Sequence, residues 1–283
     1  MSTDEVYGSI DRAARISGGA WWERYKQDRE KLIDGVVNDP ANQFDEDTPL
    51  AGGSPYAASK GAADLLILAY QNTFKWDTAN GTEDPDRMPV CIPRGVNNYG
   101  PFQHPEKLIP MAICTLLHPV VDKYCRRIPV YDRGSAIREW LKTDDYADAI
   151  IFLMKKANVG QVYNVGSGVR RSNADVIKEI WEHCRGRRGS TFKMLKDATF
   201  DASSSYGIAR PGHDLAYAVN CNKLKGIGWK QPTQNFSDVI KEIVDWYDAN
   251  RDWWEPTWTS KEFTSYWNGK YSAMNQSAPG LAL

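Results

Sequence analysis

The pattern of apolar and polar positions predicts an α/β protein. Short β-branched runs typical of buried strands stand between stretches in which apolar residues recur at helical spacing. The longest predicted helix opens at Ser54, with Pro55 at its first position, and continues to about Phe74. The other predicted helices are 109–117, 143–156, 173–184 and 237–250, and the predicted strands are 89–96, 128–131 and 161–165.

The remaining segments have the composition of loops. Residues 1–8 are expected to be the end of a strand that runs into a loop, and 97–101 is a turn by composition. Residues 9–43 are polar and are interpreted as an insertion or lid. The aromatic, polar segment beyond Trp253 is expected to be a poorly ordered tail or a docking arm.

Composition narrows the classes of function. The chain has 283 residues, of which 42% are hydrophobic and 25% charged, as in an ordinary globular protein with a sizeable core. Its formal charge of −1 argues against nucleic acid or an anionic membrane as the main partner. Five widely spaced cysteines without a C-x-x-C pair favour a reducing cytoplasm and predict neither disulfides nor a metal site. Polar residues after Met1 predict no signal peptide, and no apolar run is long enough to cross a bilayer.

Tyr56 and Lys60 lie four residues apart in the longest predicted helix, so both side chains point the same way. An ammonium group stabilises a nearby phenolate and would lower the pKa of Tyr56. The phenol would then be a base for the proton of an alcohol that loses a hydride. The spacing is short and common, and an ordinary solvated helix explains it as well.

Thr3, Asp4 and Glu5 follow the predicted first strand. In an α/β protein the carboxyl ends of strands deliver side chains to the crevice that binds ligands, which makes these three residues candidates for a site. A solvated, frayed terminus is the alternative explanation. The residue pattern by itself leaves both open.

Six blocks of the sequence occur in the order seen in the nucleotide-sugar 4,6-dehydratases. On these blocks the chain resembles dTDP-glucose 4,6-dehydratases, members of the extended short-chain dehydrogenase/reductase or NAD-dependent epimerase/dehydratase family, up to about Trp254. Six blocks in order are far more specific than any one of them. They are Ser2-Thr3-Asp4-Glu5-Val6-Tyr7-Gly8, Ser54-Pro55-Tyr56-x-x-Ser59-Lys60, Asn97-Asn98-Tyr99-Gly100-Pro101, Pro105-Glu106-Lys107-Leu108-Ile109-Pro110, Ile137-Arg138-x-Trp140-Leu141 and Arg210-Pro211-Gly212-His213-Asp214.

The resemblance implies an NAD-dependent lyase reaction and a role for each candidate catalytic residue. Tyr56 would take the proton of the sugar C4 hydroxyl, with Lys60 lowering its pKa and holding the nicotinamide ribose. Thr3 would hydrogen-bond the same hydroxyl. Glu5 would remove the C5 proton and Asp4 would protonate the departing C6 hydroxyl. Two adjacent carboxyl groups in a closed pocket suit this task, since their pKa values are pushed apart.

The resemblance also implies a set of substrate-binding residues and no metal. Some would hold the diphosphate, for which the planar guanidinium of arginine is well shaped. Others would lie near the sugar and first phosphate or line the base pocket. The residues are Arg138, Asn173, Arg210 and His213 for the diphosphate, Asn97, Glu106, Lys107 and Leu108 near the sugar, and Pro129 and Tyr131 at the base.

The glycine motif of the family does not occur in this sequence. Family members begin with a strand, a glycine-rich turn and a helix that bind the dinucleotide pyrophosphate. Neither Gly-x-x-Gly-x-x-Gly nor Gly-x-Gly-x-x-Gly is present here, and Gly166-Ser167-Gly168 is better explained as a plain turn. We therefore expect the chain alone to bind NAD poorly and to be a truncated or split form of the enzyme.

The implied architecture is the C-terminal part of a doubly wound, Rossmann-type parallel sheet with a smaller α/β substrate-binding domain. A homodimer through the helix of Tyr56 and Lys60 is also implied. A sheet without its preceding strands would expose an edge, so poor solubility, self-association or a separate N-terminal fragment that completes the sheet is expected. The expected bounds are 1–100 and 140–165 for the first domain, 101–139 and 166–254 for the second, and 255–283 for a tail.

Three functions remain open from the sequence. The favoured one is conversion of dTDP-glucose to dTDP-4-keto-6-deoxyglucose in deoxysugar biosynthesis. A catalytically incompetent nucleotide-sugar-binding or dimerising remnant is the second. A related epimerase or decarboxylase is the third, disfavoured because such relatives typically lack the Asp4–Glu5 pair. Leu215-Ala216 replaces the basic residues common after His213, so dTDP, UDP and GDP sugars all stay open.

Overall fold

The computed structural model of the chain describes residues 1–10, 35, 37–74, 89–118, 128, 134–185, 187, 214–230 and 235–276. The chain divides into two compact units. The first unit comprises Met1–Asn98, Ile137–Arg170 and Gly212–Thr233, and the second comprises Tyr99–Ala136, Arg171–Pro211 and Gln234–Leu283.

Short strands and longer helices follow one another along the described residues. The strands are β1 (Ser2–Thr3), β2 (Ile92–Gly95), β3 (Asn97–Tyr99), β4 (Ile137–Lys142), β5 (Val162–Val165) and β6 (Arg170–Ser172). The helices are α1 (Pro55–Thr73), α2 (Leu108–Leu117), α3 (Thr143–Lys156), α4 (Asn173–Cys184), α5 (Asn222–Gly226), α6 (Phe236–Ala249), α7 (Arg251–Trp258) and α8 (Lys261–Gln276). Two 3₁₀ helices span Asp4–Tyr7 and Pro40–Asn42.

The first unit contains a parallel sheet of order β1-β2-β5, with β1 at one edge among the described strands. Thr3 is the register partner of Gly95, which in turn pairs with Val165. A second sheet has the order β3-β4-β6. The predicted α/β fold with a Rossmann-type parallel sheet is therefore confirmed.

The core of the first unit joins the sheet to the helices beside it. Its buried side chains come from the strands, the Asp4–Tyr7 turn, helices α3 and α5, the segment before α5 and the loop that contains Phe44. They include Val6, Phe44, Ile137, Leu141, Leu153, Val165, Val219 and Leu224. Among the described helices, none is long and apolar enough to cross a bilayer.

Helix α1 begins and ends where the sequence predicts. The Ser54 hydroxyl accepts a hydrogen bond from the backbone N–H of Ala57 at 3.1 Å, and Pro55 occupies the first helical position. One face of this helix is apolar and exposed. Leu65 and Leu66 are 58% and 72% exposed, because they lie opposite the face that packs on the sheet.

Two local expectations are corrected by the structure. The predicted turn at 97–101 contains strand β3, because Asn97–Tyr99 extends along β4. The segment beyond Trp253 is not a poorly ordered tail over its described residues but belongs to helices α7 and α8. Its tryptophans supply the burial that orders it: Trp254 and Trp258 are fully buried within the second unit. The predicted strand 128–131 and most of the predicted lid 9–43 lie outside the described residues.

Candidate active site

The carboxyl end of β1 turns at once into the 3₁₀ helix that carries two acidic residues. Thr3 has extended backbone and caps this helix, since its Oγ1 accepts a hydrogen bond from the backbone N–H of Glu5 at 3.4 Å. The same hydroxyl donates to Asp4 Oδ1 at 3.2 Å. Gly8 ends the turn with φ of +80°, where an added Cβ would meet the carbonyl oxygen of Ala51 at 2.5 Å.

The amino end of α1 lies beside this turn. Tyr56 is in the first turn of the helix and is 53% exposed, and its phenol lies close enough to Thr3, Asp4 and Glu5 for them to affect its pKa. Lys60, one turn later, directs its Nζ to the carbonyl oxygen of Met1 at 3.5 Å. The structure thus brings Thr3, Asp4 and Tyr56 together, with Lys60 on the same side of the helix.

Asp4 is the most perturbed carboxyl group of the site. Burial raises its pKa to about 8, and the negative charges of Glu5 and Glu139 act in the same direction. Arg138 and the Thr3 hydroxyl oppose this shift without cancelling it. Asp4 Oδ2 is buried and has no hydrogen-bond partner among the described residues. Asp4 is therefore mostly protonated at neutral pH and can donate a proton.

The phenol of Tyr56 does not show the lowered pKa expected from Lys60. Its pKa is raised, first by partial burial and then by the negative charges of Glu5 and Asp4, and the Thr3 hydroxyl only reduces the shift. The expected lowering is thus wrong for this arrangement. The Lys60 ammonium reaches the carbonyl of Met1 instead of dominating the surroundings of the phenol.

A buried ion pair, which the sequence analysis missed, ties α1 to the sheet directly beside the site. Asp64 Oδ2 accepts hydrogen bonds from Arg94 Nε and from the Ser2 hydroxyl, both at 2.9 Å. Arg94 Nη1 also donates to the Tyr7 hydroxyl at 2.8 Å. Ser2 and Arg94 are register partners one residue before Thr3 and Gly95, so the pair fixes α1 next to the acidic turn. The only signal in the sequence is that Asp64 lies four residues after Lys60 on the same helix.

A second phenol near the site was also missed. Tyr146 lies in the first turn of α3, and its ring covers Gly95 at the end of β2. Burial raises its pKa to about 12, and proximity to Tyr56 and Asp4 adds to the shift. Sequence reasoning had no means to find it, because β2 and α3 are far apart along the chain.

Two of the predicted substrate residues lie in the first unit. Arg138 is buried and donates to the backbone carbonyl oxygens of Ile137 at 2.8 Å and Asp214 at 2.9 Å, while its guanidinium lies 4.5 Å from the centre of the Tyr217 ring. Asn97 lies at the start of β3 and is half-buried. Their proposed roles toward a substrate stay predictions.

The other described candidates lie in the second unit at the starts of two helices. Glu106 and Lys107 form an ion pair of 3.6 Å just before α2, which Leu108 begins. Asn173 begins α4, and its Oδ1 is buried without a hydrogen-bond partner among the described residues. An unsatisfied amide oxygen of this kind suits a ligand donor. The candidates Pro129, Tyr131, Arg210 and His213 lie outside the described residues.

The described residues fit one end of a nicotinamide dinucleotide. The accessible phenol of Tyr56 and the ammonium of Lys60 could hold ribose hydroxyls at the mouth of the site. The pyrophosphate end has no counterpart among them, because no described helix follows a strand through a glycine-rich turn. The turn after β1 carries Asp4 and Glu5, whose carboxyl groups do not suit a phosphate.

Comparison with known proteins finds several to which the chain is similar. Residues 31–166 match the family model described as the NAD dependent epimerase/dehydratase family. The dTDP-glucose 4,6-dehydratase of Streptomyces niveus is 32% identical over 264 residues, covering 93% of this chain and 61% of that protein. The probable dTDP-glucose 4,6-dehydratase of Sinorhizobium fredii is 35% identical, covering 90% of this chain and 58% of that protein. The chain thus spans about three fifths of the length of these relatives.

A solved structure shows the same similarity. The dTDP-glucose 4,6-dehydratase of Bacillus anthracis, determined in complex with NAD, is 31% identical to this chain. It matches with a TM-score of 0.62 over 90% of this chain and 62% of that one. The family match, the identity and the shared fold thus make the chain similar to members of the NAD dependent epimerase/dehydratase family over about three fifths of their length.

Proposed function

We propose that this chain carries the catalytic residues of a nucleotide-sugar 4,6-dehydratase that converts dTDP-glucose to dTDP-4-keto-6-deoxyglucose. The observation that carries the proposal is the buried Asp4, whose raised pKa of about 8 keeps it protonated beside Glu5 and within reach of the Thr3–Tyr56 pair. Elimination of water needs such an acid next to a base, whereas epimerisation has no departing hydroxyl for an acid to protonate. The names of the relatives support the substrate class.

The first step is removal of the C4 hydroxyl proton. Tyr56 is the base, and the Thr3 hydroxyl orients the same alcohol through a hydrogen bond. Bound NAD would supply the acceptor for the C4 hydride and return that hydride at C6. Burial and the charges of Glu5 and Asp4 raise the pKa of Tyr56, and cationic charge close to the phenol would lower it.

The second step is loss of water across C5 and C6. The C4 ketone acidifies the C5 proton, which Glu5 removes as the C6–O bond breaks. Asp4 gives its proton to the departing C6 oxygen, so one water leaves and the Asp4 carboxylate remains. When hydride would be returned at C6, Glu5 gives its proton back to C5. Asp4 then takes up a proton from solvent, which burial of the carboxyl group favours.

The diphosphate of a substrate needs hydrogen-bond donors and positive charge. In the second unit, the cationic Lys107 and the side-chain amide N–H of Asn173 can supply these, whereas the unsatisfied Asn173 Oδ1 suits a donor such as a hydroxyl group. Arg138 would need to exchange at least one backbone carbonyl for a phosphate oxygen. The proposal includes thymidine as the nucleoside, because the names of the relatives specify dTDP-glucose.

Turnover of the 283-residue chain tests the proposal. The chain is incubated with NAD and dTDP-glucose, and the 4-keto product is identified by NMR and by the mass of one lost water. Asp4→Asn and Glu5→Gln should each lower the rate about 10²–10⁴-fold, as expected for a lost acid or base. Tyr70→Phe, on the exposed face of α1, is the matched control for Tyr56→Phe. No product, even after addition of an N-terminal fragment from a relative, would overturn the proposal.

A second candidate is a nucleotide-sugar-binding module without turnover. The observation in its favour is that the described residues offer no cradle for the pyrophosphate of NAD. Calorimetry separates the two functions: binding of dTDP-glucose without any binding of NAD supports the module. If Asp4→Asn and Glu5→Gln leave turnover intact, a related epimerase or decarboxylase replaces both.

We further propose that the protein is a cytoplasmic homodimer that associates through α1. Leu65, Leu66 and Tyr70 form an exposed apolar face on that helix. A contiguous apolar face of this kind is typical of a surface that binds another protein. A separate N-terminal fragment that adds strands beside β1 is the alternative partner. Sedimentation of the parent chain and of Leu66→Lys distinguishes them, because only the homodimer dissociates on this substitution.

A further inference from the structure

Tyr146 and Gly95 are fitted to one another at the end of β2. A Cβ at Gly95 would stand 2.7 Å from Tyr146 Cε2, 2.8 Å from Cζ and 2.9 Å from the phenol oxygen. Such distances are shorter than carbon atoms can approach, so the ring occupies the volume that any other side chain at residue 95 would need. The absence of a side chain at Gly95 therefore lets α3 place a phenol against the sheet.

The Tyr146 phenol lies beside the candidate catalytic residues. Gly95 is the register partner of Thr3, and paired residues of parallel strands face the same side of a sheet. The Tyr146 hydroxyl consequently takes the position next to the Thr3 side chain. Its electrostatic coupling to both Tyr56 and Asp4 agrees with that placement.

The Tyr146 hydroxyl is kept as a hydrogen-bond donor. Burial and the neighbouring Tyr56 and Asp4 raise its pKa to about 12, so it stays protonated at any pH at which the protein works. Tyr146 is half-buried, and no hydrogen bond joins its O–H to another described residue. A phenol that lies against a sheet normally finds a partner for its O–H, and a phenylalanine would fill the same space.

We infer that Tyr146 is a substrate-contacting residue whose hydroxyl donates a hydrogen bond to the hexose of a bound nucleotide sugar. The inference rests on the proposed function, since it takes the hexose to lie against Thr3 and Tyr56. Of the two phenols, Tyr146 then donates a hydrogen bond to the sugar, and Tyr56 exchanges a proton with it. Because the contact is made to the sugar, the nucleoside diphosphate alone does not gain from it.

The test compares two ligands that differ only in the hexose. Calorimetry in the presence of NAD gives the affinities of dTDP-glucose and dTDP for the parent chain, for Tyr146→Phe and for the control Tyr70→Phe. Loss of one hydrogen bond should weaken dTDP-glucose about tenfold in Tyr146→Phe and leave dTDP unchanged. Gly95→Ala, which pushes the ring out of place, should give the same selective loss.

An equal loss for both ligands, or no loss for either, overturns the inference even where the parent chain forms product. A parent chain that binds neither ligand overturns the proposed function, and this inference with it. A general packing defect is recognised by a lowered melting temperature in Tyr146→Phe together with a weakened dTDP affinity, which also counts against a sugar contact. Only a change confined to the hexose-bearing ligand supports it.

Discussion

Asp4 and Asp64 are two carboxyl groups of the same unit that are buried almost equally, at 1% and 2% exposed. Asp64 has a cationic partner and a hydroxyl partner: Arg94 and Ser2 both donate to its Oδ2 at 2.9 Å. Asp4 receives one donor, Thr3, and keeps a buried oxygen without a partner among the described residues. The two side chains are thus equally buried, but they differ in the hydrogen-bond donors that reach them.

The difference separates a carboxylate that holds the fold from a carboxyl group suited to chemistry. The guanidinium beside Asp64 compensates a buried negative charge, and the pair anchors α1 to β1 and β2. Asp4 has no such cation in contact, so burial keeps its proton on and raises its pKa to about 8. Lost solvation costs stability at Asp4 and supplies an acid at neutral pH.

The largest effect is expected from Asp64→Asn. The substitution leaves the buried Arg94 guanidinium without its counter-charge, which should lower the free energy of unfolding by about 3–5 kcal/mol. Chemical denaturation at neutral pH measures it, with Asp47→Asn at the exposed surface as the control. A loss below about 1 kcal/mol would mean that the pair does not anchor α1.

Asp4→Asn should act with the opposite sign and only above acidic pH. An unfolded aspartate titrates near pH 4, roughly, and the folded Asp4 holds its proton up to about pH 8, so the native state binds the extra proton in this window. The free energy of unfolding of the parent therefore falls as the pH rises from about 4 to about 8. The asparagine variant lacks this loss and should gain about 2–4 kcal/mol relative to the parent by the upper end.

Denaturation at several pH values from the acidic to the alkaline side checks this expectation. Asp47→Asn again serves as the control for the same substitution at the exposed surface. A constant difference between Asp4→Asn and the parent would show that Asp4 titrates normally. It would then remove the acid from the proposed mechanism as well.

Local sequence signals predicted the elements that carry the site but not what surrounds them. Ser54 and Pro55 fixed the start of α1, and the position of Thr3, Asp4 and Glu5 after a short strand was read correctly as a strand end. Neither Tyr146 over Gly95 nor Arg94 with Asp64 could be found, because each pair joins residues from separate elements. The predicted lowering of the Tyr56 pKa was wrong for the same reason, because the carboxyl groups near its phenol come from another element.

The prediction for the aromatic end of the chain was also wrong, because its local composition indicated a loop where the structure has helices. Polar residues between the tryptophans beyond Trp253 have the composition of a loop, and the periodicity of α7 is interrupted by Pro256. The helix forms because Trp254 and Trp258 are buried and Trp254 Nε1 donates to the carbonyl oxygen of Tyr247 at 2.7 Å. Tertiary burial overrode a weak local pattern there.

Ser2→Ala is expected to have a smaller effect than removal of Asp64. Asp64 loses one of its two donors while Arg94 still neutralises it, so the free energy of unfolding should fall by about 1 kcal/mol. Thermal or chemical unfolding measures the change, and Ser59→Ala on the exposed side of α1 is the control. A loss as large as that of Asp64→Asn would mean that the hydroxyl, not the ion pair, holds the helix.

Thr3→Val should give the smallest change in stability and a shift in the titration of Asp4. Valine keeps the shape of the side chain but removes the hydroxyl that caps the 3₁₀ helix, which should cost about 0.5–1 kcal/mol. The same hydroxyl donates to Asp4 and holds the pKa of that group down, so its removal raises the pKa further.

The double variant with Asp4→Asn isolates the second effect. In the asparagine background the cost of Thr3→Val should be the same at every pH, whereas in the parent it should grow above neutral pH, where a charged Asp4 would need the lost donor. Thr3→Ser keeps the hydroxyl and should behave as the parent does. If Thr3→Val costs the same at all pH values in both backgrounds, Thr3 acts only as a cap, and the single donor that Asp4 was assigned contributes nothing to its proton affinity.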